Sequence, residues 1–255
     1  MSEYVEISIA DRIQQIRINR PDKKNALDLS MYTVLADSIT GADSNSDVRV
    51  SYITGVADAF CSGNDIKDFL NNPPTDESSP VTQFIRAIIG AEKPIVAAVN
   101  GIAVGIGTTM LLHFDLVYAS EEARFQMPFV NIGLCPEAGS TFLLPVLMGR
   151  HKASELLLLG KMFDAGEAVA LGIANEMVPA EKLKETAMQA ARTIVAQPAG
   201  SVRVTKGLLR RSVRDLVEAA AEREQDSFIP MLNSPEAKEA LSAFMEKRKP
   251  DFSKC

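Results

Sequence analysis

Glu137 is the single carboxylate in Asn131-Ile132-Gly133-Leu134-Cys135-Pro136-Glu137-Ala138-Gly139-Ser140, an otherwise largely apolar loop. Burial in such a setting raises a carboxyl pKa toward that of a useful general base. A carboxylate just after Pro136 can equally cap the following helix, because helix N-termini favour negative charge. On the residues alone both roles stay open. Two further segments offer backbone donors. Phe60-Cys61-Ser62-Gly63-Asn64-Asp65-Ile66 leaves a strand through a turn of small residues, where N–H groups are exposed. Asn100-Gly101-Ile102-Ala103-Val104-Gly105-Ile106-Gly107 passes through glycines into a helix whose first N–H groups lack intrahelical acceptors, the kind of place that holds an oxyanion.

Alternating strands and helices must position these segments. Val5, Ile7 and Ile9, then Ile16 and Ile18, alternate with polar residues and predict an opening hairpin. Met31, Val34, Leu35 and Ile39 follow at helical spacing, and Val48 to Thr54 reads as a strand ending at Gly55. A polar loop from Asn71 to Pro80 precedes a helix near Val81 to Gly90, the strand Ile95 to Val99, a buried helix after Gly105, and the strand Phe114 to Ala119. This is an α/β pattern. Beyond Gly149 helices dominate, with Ala153 to Leu159 and Ala165 to Leu171 each ending at a glycine, and Gln197-Pro198-Ala199-Gly200 is the clearest late boundary. The chain therefore divides into residues 1–196 and a helical section, 197–255.

Composition narrows the function classes. With 27 Lys+Arg against 33 Asp+Glu the net charge is −6, which disfavours nucleic acid as the main partner. The basic residues Lys206, Arg210, Arg211 and Arg214 read as a solvated or subunit-facing surface, and Asp215, Glu218, Glu222 and Glu224 cancel their field. Cys61, Cys135 and Cys255 form no C-x-x-C pair, so neither a disulfide framework nor a metal site is expected. Met1-Ser2-Glu3-Tyr4-Val5-Glu6 has no signal-peptide character, and cytoplasmic placement is the expectation. Pro94 to Phe114 approaches the length of a membrane span, but Asn100-Gly101 breaks it into strand, turn, buried helix and strand. P-loop, zincin and G-x-S-x-G signatures are absent, and His113 and His151 read as packed or solvated side chains rather than catalysts.

Taken in order, Asn19-Arg20-Pro21, Lys24-Asn25-Ala26-Leu27, Phe60 to Ile66, Lys93-Pro94 to Gly107, Asp115 to Ala119, Gly172, Val178 and Phe244-Met245-Glu246-Lys247-Arg248-Lys249-Pro250 resemble the crotonase, or enoyl-CoA hydratase/isomerase, superfamily over nearly the whole chain. The resemblance implies a spiral of ββα units, a helical C-terminal section that builds a homotrimer or a dimer of trimers, and an acyl-CoA thioester substrate. No cofactor beyond that coenzyme A, no metal and no membrane partner is implied. It places the backbone N–H groups of Ser62 and Ile106 in an oxyanion hole. Lys24, Ala26, Asn64, Asp65 and Ile66 fall along the coenzyme A groove, with Lys249 and Phe252 completing the nucleotide pocket. Phe129, Ile132, Leu134 and Phe142 are candidates for the acyl pocket, or for core.

Family hydratases use two glutamates, and the matching positions here are Thr109 and Phe129. Glu137 stands where Δ3,Δ2-enoyl-CoA isomerases of the peroxisomal type carry their one catalytic glutamate. The expectation is a single-base double-bond isomerase. The alternatives are an enoyl-CoA hydratase or another crotonase-type reaction, a non-catalytic acyl-CoA-binding protein, and, least favoured by the charge, an RNA-binding relative.

Overall fold

The computed structural model describes residues 2–73, 76–246 and 248–255. Met1, Pro74, Thr75 and Lys247, which belong to the N-terminal, loop and tail segments quoted above, lie outside the described residues.

The predicted hairpin is β1 (Val5–Ala10) and β2 (Ile13–Ile18), paired antiparallel with Val5 opposite Ile18. Helix α1 (Leu29–Ser44) starts where the Asp28 carboxylate accepts from the Met31 N–H at 3.0 Å, a side-chain cap on an otherwise unsatisfied donor. The chain then runs through β3 (Val50–Gly55), β4 (Ala59–Cys61), α2 (Ile66–Asn71), α3 (Pro80–Gly90), β5 (Ile95–Val99), β6 (Ile102–Val104), the single turn α4 (Ile106–Thr109), β7 (Leu116–Ser120) and β8 (Arg124–Gln126). After the Glu137 loop come α5 (Ser140–Met148), α6 (Arg150–Leu159), β9 (Phe163–Asp164), α7 (Ala165–Ala170), β10 (Glu176–Val178) and the C-terminal helices α8 (Ala180–Ala196), α9 (Ala199–Arg211), α10 (Arg214–Met231) and α11 (Pro235–Met245).

Two sheets result. The larger has the order β1-β2-β3-β5-β7-β10 and is parallel after its first pair; the smaller is β4-β6-β8-β9. In each turn of chain a strand of the first sheet is followed by a strand of the second, β3 by β4, β5 by β6 and β7 by β8, so both sheets grow in step. This is the expected ββα spiral. At its central strands β3 and β5 the larger sheet is buried on both faces, as parallel sheets usually are. Ile53, Ala97 and Val99 join the main core with Phe60, Phe84 and Phe125, whereas Val50, Tyr52, Val96 and Ala98 pack beneath Leu183, Ala187 and Ala191 of α8. Pro94 to Phe114 resolves into strands and short helical turns, and among the described residues no helix is long and apolar enough to cross a membrane.

One surface expectation is corrected. Lys206 is buried at 5% exposure, its ammonium 2.7 Å from both the Asp115 carboxylate and the Lys93 carbonyl, and Arg210 reaches the carbonyls of Ile89, Ala91 and His113. These residues lie one helical turn apart on the inward side of α9 and latch it to the ends of β5 and β7, where a buried charge survives because it is paired. Arg211 and Arg214 do stay exposed.

Candidate active site

Small residues let α4 approach β4 closely. A Cβ placed on Gly107 would stand 2.2 Å from the Cys61 carbonyl oxygen, so only glycine fits there, and Gly105 takes a left-handed φ of 56° as the chain turns from β6 into α4. Gly107→Ala should push α4 away from β4; the expected result is a melting temperature lowered by several degrees, read by calorimetry.

The segment before α1 is laced against the turn after β4. Lys24 and Asn25 both have positive φ, and Asn25 bonds the Ala59 carbonyl at 2.7 Å and the Val56 carbonyl at 3.0 Å. Leu27 N–H donates to Gly63 and Asp65 N–H to Leu27, each at 2.8 Å. Asp65 caps α2 and is held by Arg20 at 2.8 Å, so its carboxylate serves the scaffold.

A groove of about 530 Å³ opens along this seam. Ser62 and Ile106 both line it, together with Ala26, Asn64, Asp65, Ile66, Phe129, Ile132 and Leu134. Ile106 is the first residue of α4, so its N–H has no intrahelical acceptor. The Ser62 N–H already donates to the Lys24 carbonyl at 3.1 Å. The Lys24 side chain pairs with Asp58 at the surface, while Lys23 and Lys67 line the groove instead. Lys249 and Phe252 are exposed and, like Phe142, line neither this groove nor the cavity beside it.

That cavity, about 420 Å³ between α3 and α10, has Glu137 in its wall. Phe228 of α10 lines both spaces, and it packs edge-on to Phe69, the ring centroids 6.0 Å apart. Glu137 is 7% exposed, and its Oε1 has no hydrogen-bond partner. Burial, and next the charge of Glu224, push its pKa up to about 8. Glu137 is also close enough to Tyr32 and Cys61 to raise their pKa values, which ties it to the Ser62 side of the site. The capping alternative does not hold: the amides of Gly139 and Thr141, at the start of α5, are taken by Glu224. At the two positions where family hydratases carry glutamate, Thr109 is fully buried with its hydroxyl on the Gly105 carbonyl at 3.3 Å, and Phe129 is a wall of the groove.

The Enoyl-CoA hydratase/isomerase family model matches residues 8–254. The chain belongs to this family, the crotonase superfamily. The chain shares the family's fold: it superposes with a TM-score of 0.94 on the crystal structure of an enoyl-CoA hydratase/isomerase from Pseudoalteromonas atlantica T6c, at 39% identity over 98% of this chain and 100% of that one. Similar family members differ in reaction. Enoyl-CoA delta isomerase 2 of Rattus norvegicus is 36% identical over 97% of this chain, which spans 64% of that relative's length. The 2,3-dehydroadipyl-CoA hydratase of Escherichia coli K12 is 30% identical over 99% of both chains.

The groove and cavity also include family-site candidates that sequence patterning did not single out. Phe228, Leu241 and Met245 reach the groove from α10 and α11, far along the chain from every motif. Lys23 and Lys67 had a weak signal, being next to or near residues already assigned to coenzyme A.

Proposed function

We propose that this crotonase-family chain is a Δ3,Δ2-enoyl-CoA isomerase in which Glu137 is the sole acid–base group. The observation that carries the reading is the pairing of one buried, unpartnered carboxylate with two positions, Thr109 and Phe129, that cannot activate water. The thioester lies in the groove with its oxygen on the Ile106 amide and on the Ser62 amide, which shares or releases its bond to Lys24. The acyl chain passes Phe228 toward Glu137. Glu137 removes a proton from C2, the C3–C4 double bond shifts to C2–C3 through the enolate, and the same carboxyl returns the proton to C4. Each fixed donor to the enolate oxygen contributes about 2.7–4 kcal/mol in the transition state.

Coenzyme A contacts at Ala26, Asn64 and Ile66, with cations from Lys23 and Lys67, belong to the same proposal, as does a homotrimer. Exposed Leu158 and Leu159 on α6, and Val204, Leu208 and Leu209 on α9, supply apolar surface for such an assembly.

The test is an assay with 3-hexenoyl-CoA, following the conjugated product, with crotonyl-CoA hydration run in parallel. Isomerisation without hydration is expected. Hydration at enzyme-like rates would move the assignment to the hydratases, and binding of the thioester without C2 proton exchange in deuterated water would leave a binding protein. Because the base must be ionised, kcat/KM should rise with pH and level off above an inflection near the Glu137 pKa of about 8.

A further inference from the structure

Glu224 takes no part in the proton transfer above, yet it is buried at 6% exposure and fully engaged with the segment that carries Glu137. One carboxylate oxygen accepts from the Gly139 N–H at 2.6 Å; the other accepts from the Thr141 N–H at 2.8 Å and the Thr141 hydroxyl at 2.5 Å. Its backbone carbonyl accepts from the Cys135 thiol at 3.6 Å. Helix α10 thus grips the loop on both sides of Glu137. His113 Nε2 meets the Ala138 carbonyl at 2.7 Å. Ala138 and Gly139 are consecutive left-handed residues, with φ of 60° and 68°, and this double turn gives the Ala138 carbonyl to His113 and the Gly139 amide to Glu224.

We propose that Glu224 is a positioning residue for the Glu137 base: it occupies the free amides at the start of α5, clamps the loop, and keeps one fixed negative charge beside the base. The proposal rests on reading Glu137 as that base. Two physical effects act in the same direction. The first is competition for donors. The amides of Gly139 and Thr141 sit where a helix stabilises an anion; left free, they would draw the Glu137 carboxylate into a cap and weaken it as a base. The second is charge. Burial raises the Glu224 pKa too, but its three donors favour the charged form, so Glu224 is the member of the pair that ionises first, and Glu137, with Oε1 unpartnered, is the member that holds the proton.

Other groups near Glu137 do not supply that charge at neutral pH. Tyr32, Cys61 and Cys135 are neutral, burial pushing the two thiols up to about 12 and about 11. His113 is neutral too, burial pulling it down to about 4, and its protonated Nε2 faces a carbonyl. Across the cavity Arg86 is paired with Glu77 and Arg214 with Glu218, and Glu222 and Arg223 are exposed, where solvent screens them.

Glu224→Gln keeps the length and one acceptor oxygen but removes the charge. The Glu137 carboxyl is titrated by infrared difference spectra, each taken with and without Glu137→Gln, in the native and the Glu224→Gln backgrounds. The expected result is a Glu137 midpoint lowered by about one pH unit or more, with the acid limb of kcat/KM moving by the same amount. Glu224→Asp, which keeps the charge but draws it back by one methylene, should give a smaller shift, and it carries the test if Glu224→Gln does not fold. A lower melting temperature with an unmoved Glu137 midpoint in both variants would overturn the proposal and leave Glu224 a strut. The infrared titration needs no turnover, so a chain without isomerase activity would refute the assignment of the base while the coupling is still measured.

Discussion

Glu137→Gln should lower isomerase turnover by about 100- to 10,000-fold and leave the affinity for a saturated acyl-CoA nearly unchanged. Gln has the size and shape of Glu and cannot take the C2 proton. Binding survives because Glu137 stands in the cavity beside Phe228 and does not line the groove proposed for the thioester head. The same substitution has an opposite effect on stability, with a definite sign in pH. Glu137 titrates near 4.5 in an unfolded chain and at about 8 in the folded protein. Between those values the folded state holds a proton that the unfolded state has released, so wild-type stability declines as pH rises through this window. Gln does not titrate and escapes the decline. The melting temperature of Glu137→Gln should therefore exceed that of the wild type, by a margin that grows from about pH 5 to about pH 9. A variant with full turnover would remove Glu137 from the reaction; equal pH dependence of the two melting curves would show that the carboxyl is not held protonated.

Long alternating or helical patterns were legible in the sequence, and short elements were not. β1, β2, β3, β5 and α1 each have five residues or more in which periodicity can show. β4, β6, β8 and β9 have three residues or two, and their pairing depends on what the other sheet places beside them, so the second sheet leaves no mark in the pattern. The site divides in the same way. Ser62, Ile106 and Glu137, the proposed donors and base, lie in segments whose small residues or apolar context stand out in the sequence. Phe228, which lines both spaces, and Glu224, which bonds the Glu137 loop, come from α10, where nothing local in the sequence points to either. A signal existed for Glu224 nonetheless. Val217, Ala220, Glu224 and Phe228 recur at intervals of three and four and are the buried face of α10. A carboxylate on that stripe, counted above with its exposed acidic neighbours, must find donors when it is buried. Lys206, a cation on the inward side of α9, deceived in the same manner.

Ile106→Pro tests the proposed oxyanion site by removing its backbone N–H, together with a buried side chain whose loss a control must separate. Ile106 is the first residue of α4, a position where proline's fixed φ suits the helix and no intrahelical hydrogen bond is lost. Gly105 before it has no Cβ to meet the proline ring. What disappears is the N–H of a residue that lines the groove. Loss of one such donor lowers kcat by about 100- to 1000-fold, and that is the expected result in the 3-hexenoyl-CoA assay. The side chain itself is 1% exposed, so packing is lost as well. Ile106→Val is the control, since it keeps the N–H, removes one methylene, and should retain turnover within a few-fold. The remaining donor, Ser62, must be shared with the Lys24 carbonyl, so without Ile106 the enolate oxygen depends on a bond already in use. If Ile106→Pro and Ile106→Val slow the reaction equally, the loss comes from packing, and the amide does not hold the enolate.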